Sequence, residues 1–468
     1  MNIDCLLIAY SGTNIESRNE VLSELKIDSR LTAPPNMAIA YLGSYLDRKG
    51  HSFKYIDSVE NNILKLKQIM LENNVHCIGF STTFCSSSGD IAKIVKAIKE
   101  IDKNIPIILG GAYIVNYVRS FVALGDKVLQ IGLRMINADY IIDSYYGEEY
   151  LSDLVSSIVG NKNMELIPNI YYRVDGKIHR TYEAAINYPI SNYKIDWKLF
   201  ENVVGNNIKV RTATSCPFEC SFCTYPANAG NYQSLPIKDI EQALNDIKYT
   251  SDVELIYFID DTFNIPLSRF KQILKMMINN KYGFKWHSYI RCQFLDEEAV
   301  ALMKESGCIG AFLGIESGNE DILKIMNKKA NIFEYKRGIS LLNKYNINTL
   351  SSFIIGFPGE TEDTVMDTIR FLEETKPTFY YAGIWVYDER TPISKHRDLY
   401  QLKNSGVSWS HKTMNAVEAM SYVDKMNNRI KDSINVIDHW DNIMQLALHE
   451  DLPTIKRYLD KLAVKGIV

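Results

Sequence analysis

The sequence of 468 residues contains no apolar run approaching the ~20 residues that a membrane-spanning helix requires. Its opening, MNIDCLLIAYSG, lacks the basic flank and long apolar core of a secretion signal. There is no surplus of positive charge. The 52 Lys and Arg residues stand against 56 Asp and Glu, a net charge of −4, with the two signs interspersed. A nucleic-acid protein that relies on a large basic face is thereby excluded. No repeat of solenoid period and no low-complexity tract is visible. A disulfide framework is also missing: five of the eight cysteines are scattered, and a chain of this length buries enough core to do without staples. The expectation is a soluble, cytoplasmic protein in a reducing compartment, with neither a membrane nor a nucleic acid as partner. Apolar residues at 46% and charged residues at 23% place the chain among globular proteins of two or three domains.

What is present is alternation. In the first 160 residues, short apolar runs at Cys5–Tyr10, Phe53–Ile56, Cys77–Phe80, Pro106–Leu109 and Tyr140–Ile142 are bounded by turn residues, as buried parallel strands are. Between them lie helical patterns. Asn36–Asp47 carries a wide apolar stripe, and Ile91, Ile94, Val95 and Ile98 recur at helical spacing with lysines opposite. This order predicts a doubly wound, Rossmann-like α/β domain over residues 1–160, with a ligand at the carboxyl ends of its strands. Those ends carry Ser81-Thr82-Thr83 and Gly110-Gly111, small or hydroxylated residues that let a backbone come close. Such residues also end strands where no ligand binds.

Residues 161–207 read as a connector holding a hairpin with Asp175-Gly176 as its tight turn. From residue 208 the alternation resumes. Strands are predicted at Ile208–Ala213, Leu255–Ile259, Lys285–Arg291, Ile309–Ile315, Leu350–Ile355 and Phe379–Val386. Helices are predicted at 236–248, 267–280, 296–306, 319–346 (broken near Lys329) and 361–374. A full eight-unit barrel takes ~250 residues, so residues 208–386 fit a partial (β/α)6 barrel better. Residues 387–468 are predicted to be a helical C-terminal region, especially Asn415–Ile434.

Residues 216–223 read CPFECSFC and directly follow a predicted strand. Three cysteines at this spacing, Cys216, Cys220 and Cys223, are one short of a structural zinc site or a simple ferredoxin cluster. Three thiolates on a cubane leave one iron open to chelate a ligand. A zinc site with a distant fourth ligand stays open at this point: His287 is the nearest histidine after the cluster, and Cys292 or Cys308 is an alternative.

With its context, the segment resembles the radical S-adenosylmethionine enzymes. FIDDTFN (Phe258–Asn264), Trp286–Cys308, GIESG (Gly314–Gly318) and IIGFPGET (Ile354–Thr361) appear in that family's order, each at or just after the end of a predicted strand. The resemblance implies a [4Fe–4S] cluster on the three cysteines. It also implies S-adenosylmethionine chelated to the open iron and cleaved to a 5′-deoxyadenosyl radical after electron injection from a donor such as flavodoxin or ferredoxin. It assigns Phe222 to the adenine, Glu316 and Ser317 to ribose hydroxyls, and Arg291 to a carboxylate. Gly356 and Gly359 allow backbone to approach the adenine, and Asp260, or its neighbour Asp261, meets the methionine amino group or substrate. Cys292 and Cys308 read as structural.

Pro34–Asp57, CIGFSTTF (Cys77–Phe84), IILGGAY (Ile107–Tyr113) and Ala138–Leu154 resemble the cobalamin-binding domains fused to such barrels. The combination implies a cobalamin-dependent methyltransferase acting on an unactivated carbon or phosphorus centre of a small molecule or peptide, through methylcobalamin. Ser81, Thr82, Gly110 and Gly111 are the residues for cobalamin. The DxHxxG loop, whose histidine ligates cobalt, is missing: SGTNIES (Ser11–Ser17) has no histidine, and His51 lies in a helix-to-strand turn. Members of the fused class often bind cobalamin without that ligand. CTYPANAG (Cys223–Gly230), VYDERTPI (Val386–Ile393) and WSHKTMN (Trp409–Asn415) are similar to enzymes like the P-methyltransferase of phosphinothricin biosynthesis; Trp409 and His411 could close over a substrate there, but a packed aromatic and a helix-entry histidine is the favoured reading. The rival readings are a cobalamin-independent epimerase, cyclase or peptide-maturing enzyme of the same superfamily, and a non-catalytic iron–sulfur or zinc protein.

Overall fold

Short apolar runs become parallel strands throughout the chain, in two units that the computed structural model separates: residues 1–14 with 34–204, and residues 15–33 with 205–468. The structure describes residues 1–12, 14–33, 36–122, 124–160, 163–185, 189–192, 194–200, 206–250 and 253–467. Pro34 and Pro35 of the Pro34–Asp57 segment, Thr13 of the Ser11–Ser17 loop and several connector positions (161–162, 186–188, 193 and 201–205) lie outside the described residues.

The chain opens with β1 (Asn2–Ala9) and α1 (Ile15–Glu24), the latter belonging to the second unit. The first unit continues with α2 (Met37–Arg48), β2 (Phe53–Ile56), α3 (Ile63–Glu72), β3 (Asn74–Ser81), α4 (Ser88–Ile101), β4 (Ile107–Gly110), α5 (Ala112–Val122), α6 (Asp126–Ile136), β5 (Tyr140–Ile142), α7 (Glu148–Ile158), β6 (Ile170–Val174) and β7 (Lys177–Arg180). The sheet order is β2-β1-β3-β4-β5-β6-β7. The first five strands are parallel, and the order reverses between β1 and β3, the crevice where doubly wound sheets bind ligands. Local chemistry agrees with the packing. The Ser87 and Asp90 side chains cap α4 reciprocally, and Ile91, Ile94, Val95 and Ile98 bury its apolar face. The hairpin does not stand apart as a connector. Ile170 and Tyr171 are buried, and β6 pairs antiparallel with β5, so the hairpin extends this sheet.

In the second unit, β8 (Asn207–Val210) leads into the two-residue strands β9 (Ala213–Thr214) and β10 (Gln233–Ser234), which flank α8 (Tyr225–Ala229). Then follow α9 (Ile237–Thr250), β11 (Leu255–Phe258), α10 (Leu267–Asn279), β12 (Lys285–Ile290), α11 (Glu297–Glu305), β13 (Cys308–Glu316), α12 (Glu320–Ile325), α13 (Ile332–Lys344), β14 (Asn348–Ile355), α14 (Glu362–Thr375) and β15 (Phe379–Ile384). The remainder is α15 (Arg397–Tyr400), β16 (Ser410–His411), β17 (Met414–Asn415), α16 (Ala416–Arg429), β18 (Ile434–Asn435), α17 (Trp440–Leu446) and α18 (Leu452–Lys465). The main sheet runs β18-β15-β14-β13-β12-β11-β8, all parallel, with six consecutive strand–helix strands and the short β18 beyond them. This is the expected partial barrel, followed by a helical C-terminal region.

Two differences from the sequence reading have clear causes. Helix α1 falls within the stretch 1–160 read as the first domain, but Val21 and Leu22 share a core with Ile455, Leu459 and Leu462 of α18, and Arg18 pairs with buried Asp438 at 2.8 Å. Helix α16 ends at Arg429 rather than near Ile434, because Ile430 is extended and the chain turns into β18. Among the described residues no helix is long and apolar enough to cross a membrane.

Candidate functional site

The three cysteines lie on the loop between β9 and α8, and that loop is fastened from two sides. At its entry, buried Asp260, just after β11, accepts from Thr212 N at 2.6 Å and Ala213 N at 3.0 Å, and also from the Thr212 hydroxyl. Arg269 Nη2 donates to Thr212 O at 2.9 Å. At the other side, the end of α12 takes hold. Ser221 N donates to Met326 O at 2.9 Å, Ser221 Oγ to Ile325 O at 2.6 Å, and Asn327 Nδ2 to Glu219 O at 2.7 Å. The loop is thus tied by hydrogen bonds at its entry and at its middle.

The donor set fits an iron–sulfur cluster. All three cysteines are free thiols, Cys220 buried and the other two partly exposed. Burial pushes the Cys223 thiol up, with smaller contributions from Cys220 and Cys216 beside it, and burial likewise raises Cys216. Clustered thiols of this kind are the set that a bound cationic group deprotonates. Among the described residues no three His, Cys, Asp or Glu side chains converge as ligands of one metal ion do. Thiolates of a cubane bind separate irons and have no need to converge so tightly.

The neighbouring acids divide. Asp260 is fully internal, so it fastens the loop and is not open to a methionine amino group; burial is the main cause raising its carboxyl. Asp261 faces water from within a concave surround. Burial pushes its carboxyl up to about 6, against the Tyr225 hydrogen bond and the Arg211 charge. Glu316 ends β13 in the left-handed region, φ +67°. Its carboxylate meets Lys328 Nζ at 2.8 Å and accepts from Ser352 Oγ at 3.2 Å. Lys328, in the α12–α13 loop, was not singled out from sequence; its ammonium lies 5.5 Å from the Phe222 ring centroid. Phe222 in turn meets Phe357 edge-on at 6.3 Å.

Three expected positions have other duties. Ser317 is fully buried, with its hydroxyl 3.4 Å from Thr368 Oγ1 and accepting from Asn319 N at 3.2 Å. Gly356 sits at φ +88°, and a Cβ there would lie 2.3 Å from the Trp409 ring; Gly359, at φ +94°, would meet Ile325 at 2.8 Å. Both glycines are needed for packing. Trp409 and His411 are themselves packed: Trp409 Nε1 donates to Trp385 O at 2.5 Å, and His411 Nε2 lies 3.1 Å from Gly356 O. Arg291 Nη2 points at Cys220 Sγ, 3.1 Å away. Burial pushes the Cys292 thiol up to about 12 and raises Cys308 further, as inert core cysteines require.

In the first unit, Thr82 is buried and spent internally: Oγ1 donates to Gly110 O at 2.8 Å and accepts from Ile114 N at 3.2 Å. Gly111, at φ +100°, admits the Thr82–Thr83 backbone, which a Cβ would crowd at 2.9–3.1 Å. Ser81 Oγ lies 3.3 Å from the hydroxyl of exposed Thr83. Beside the end of β1, Glu60 Oε1 accepts from Ser11 N at 3.0 Å and Gly12 N at 3.1 Å, while Glu60 Oε2 and Asp57 Oδ1 are buried without hydrogen-bond partners among the described residues. Burial pushes Asp57 up to about 6. Unpartnered acceptors at this crevice suit the amide N–H groups that fringe a corrin ring. His51 Nε2 lies 3.1 Å from Ser156 Oγ in the turn before β2, at the amino end of the sheet.

Residues 210–372 match the model of the radical SAM superfamily, and residues 27–129 match that of the B12 binding domain. The chain thus carries a radical SAM domain preceded by a B12-binding domain. It is 24% identical over 362 residues to PH0819 of Pyrococcus horikoshii, an uncharacterised methyltransferase, spanning 73% of this chain and 74% of that one. Over 179 residues it is 31% identical to the bacteriochlorophyllide d C-12(1)-methyltransferase of Chlorobaculum tepidum, 37% of this chain and 38% of that protein. Its fold is shared with TsrM of Kitasatospora setae, a radical S-adenosylmethionine methyltransferase solved with cobalamin and a [4Fe–4S] cluster: TM-score 0.66, 16% identity, 87% and 80% of the two chains. The cobalamin-dependent radical enzyme OxsB aligns with TM-score 0.59 and 18% identity over 80% of this chain and 52% of its own.

Proposed function

We propose that the protein is a cobalamin-dependent radical S-adenosylmethionine methyltransferase acting on an unactivated carbon or phosphorus centre of a small molecule or peptide. The observation that carries this reading is the fastened three-cysteine loop at the head of an all-parallel partial barrel, in a chain that also matches the B12 binding domain. The methyltransferase relatives support the reaction type. When bound, the cluster with S-adenosylmethionine supplies a 5′-deoxyadenosyl radical, and cobalamin supplies a transferable methyl group.

The chain's own residues then bind, orient and shield. Cys216, Cys220 and Cys223 would hold the cluster through their thiolates and, being three, would leave a place on it for S-adenosylmethionine. Phe222 offers a ring face to the adenine. The buried Glu316–Lys328 pair presents an acceptor to the ribose hydroxyls and an ammonium to the methionine carboxylate. Asp261, poised near neutrality, receives an amino group of S-adenosylmethionine or substrate. The strand ends at Ser81 and Gly110–Gly111, with Asp57 and Glu60, would cradle the corrin, and the Ser11–Ser17 segment after β1 carries no histidine. A one-electron donor of the flavodoxin or ferredoxin type and a cytoplasmic setting complete the proposal.

Anaerobic reconstitution with iron, sulfide and hydroxocobalamin, followed by desalting, tests it. The prediction is four irons per chain, a retained corrinoid spectrum and an EPR signal of the reduced cluster that S-adenosylmethionine alters. A cluster signal indifferent to S-adenosylmethionine would refute the reading, and loss of corrinoid on desalting would remove its cobalamin half.

A further inference from the structure

Arg291 follows β12 and carries its guanidinium to the cysteine loop. Nη2 donates to Cys220 Sγ at 3.1 Å, and Nη1 donates to Lys328 O at 3.1 Å. The guanidinium carbon stands 3.6 Å from the Phe218 ring centroid, and that ring stacks on Phe294 at 5.7 Å. The backbone is held as well. Arg291 N donates to Asn264 Oδ1, and Asn264 Nδ2 donates to Arg291 O, each at 2.9 Å. Arg291 is 8% exposed and Asn264 is fully buried. A charged fork is therefore fixed on one cysteine sulfur by a ring below, a carbonyl beside it and a clamped backbone behind it.

We infer that Arg291 is a redox-tuning residue, whose N–H···S bond to Cys220 raises the reduction potential of the cluster. The inference rests on the reading that the three cysteines hold a [4Fe–4S] cluster. Reduction by the external one-electron donor adds one negative charge to the cluster, and part of it falls on the thiolate sulfurs. A permanent cation hydrogen-bonded to one of those sulfurs, in a site screened from water, stabilises the reduced state more than the oxidised one. The fork acts on a ligand sulfur and not on the open iron, so the effect is present before S-adenosylmethionine arrives. This is a different duty from the carboxylate pairing that the sequence suggests for the same residue.

The test is an EPR-monitored potentiometric titration of the reconstituted full-length protein without S-adenosylmethionine, after iron and sulfide are counted. Wild type, Arg291→Met and Arg291→Gln are compared. Poised at the wild-type midpoint, each neutral variant is expected to show a reduced-to-oxidised ratio lower by about tenfold or more, which is 59 mV for one electron. If neither variant holds a cluster, Arg291→Lys carries the test. Its shorter, non-planar donor withdraws from the sulfur and is expected to lower the ratio by a smaller factor. An unmoved midpoint in a variant with wild-type iron content overturns the inference. So does an unmoved midpoint accompanied by loss of the S-adenosylmethionine effect on the EPR signal, which would place the guanidinium on the methionine carboxylate. A wild type that binds no four-iron cluster takes down the proposed function as well, and the iron count alone reveals that case.

Discussion

Lys328 Nζ stands 2.8 Å from Glu316 Oε1, and the two side chains are 6% and 11% exposed. A buried pair of this kind is costly to break from one side, because the survivor keeps an unpaired charge. Lys328→Met is expected to destabilise the protein by ~3–5 kcal/mol, read from urea unfolding. Lys328→Met with Glu316→Gln together should recover much of that loss. A double variant as unstable as Lys328→Met alone would contradict the pairing.

Asp260 and Asp261 are adjacent in sequence and opposite in duty. Asp260→Asn withdraws one charged acceptor from the Thr212–Ala213 backbone, at a cost of ~1–3 kcal/mol for buried donors left short of a partner. The cysteine loop loosens, so iron content after reconstitution should fall. Asp261→Asn should keep wild-type iron content and change only ligand binding. Equal iron loss in both variants would contradict this division.

Glu360 is completely buried, and burial pushes its carboxyl from 4.5 to about 8, against hydrogen bonds from Gly356 N and Phe357 N. The folded state therefore keeps the proton up to about pH 8, whereas the unfolded chain releases it above 4.5. The unfolded state binds fewer protons across that window, so the contribution of Glu360 to stability falls as pH rises. Glu360→Gln keeps an acceptor for Gly356 N and removes the titration. Its stability relative to wild type should rise steadily from pH 5 to pH 8. A constant difference across that range would show that Glu360 is ionised in the fold.

Gly356→Ala forces a side chain into φ +88° and into the Trp409 ring at 2.3 Å. The backbone strain alone costs ~1–3 kcal/mol, and overpacking adds to it. The thermal midpoint should drop by several degrees. Trp409→Phe in the same chain should return part of the loss, which would not happen if the glycine served only an approaching ligand.

Much of the architecture was legible because local and tertiary signals coincide. Phe53–Ile56 and Tyr140–Ile142 are strands with the expected ends, since their short runs are bounded by turn residues and pair parallel with β1 and β4. The three-cysteine loop was legible because its spacing is short-range. What was missed is long-range. The mostly polar sequence of α1 does not tell which core it joins, and Val21 finds α18 over four hundred residues away. Neither propensity nor periodicity separates Asp260 from Asp261; only the positions of Thr212 and Ala213 do. Lys328 lies in the loop sequence NKKA, where a lysine ordinarily faces water, and it is the left-handed turn at Glu316 that brings the carboxylate to it. Ser317, beside Glu316 in the same motif, faces Thr368 of α14 instead.

The most direct measurement is product analysis of the reconstituted protein with hydroxocobalamin, reductant, S-adenosylmethionine and a panel of acceptors. A control with Cys216, Cys220 and Cys223 all replaced by alanine runs alongside. The account predicts 5′-deoxyadenosine and S-adenosylhomocysteine from the wild type, with 5′-deoxyadenosine lost in the control. Neither product from a protein with an intact cluster and bound corrinoid would contradict it.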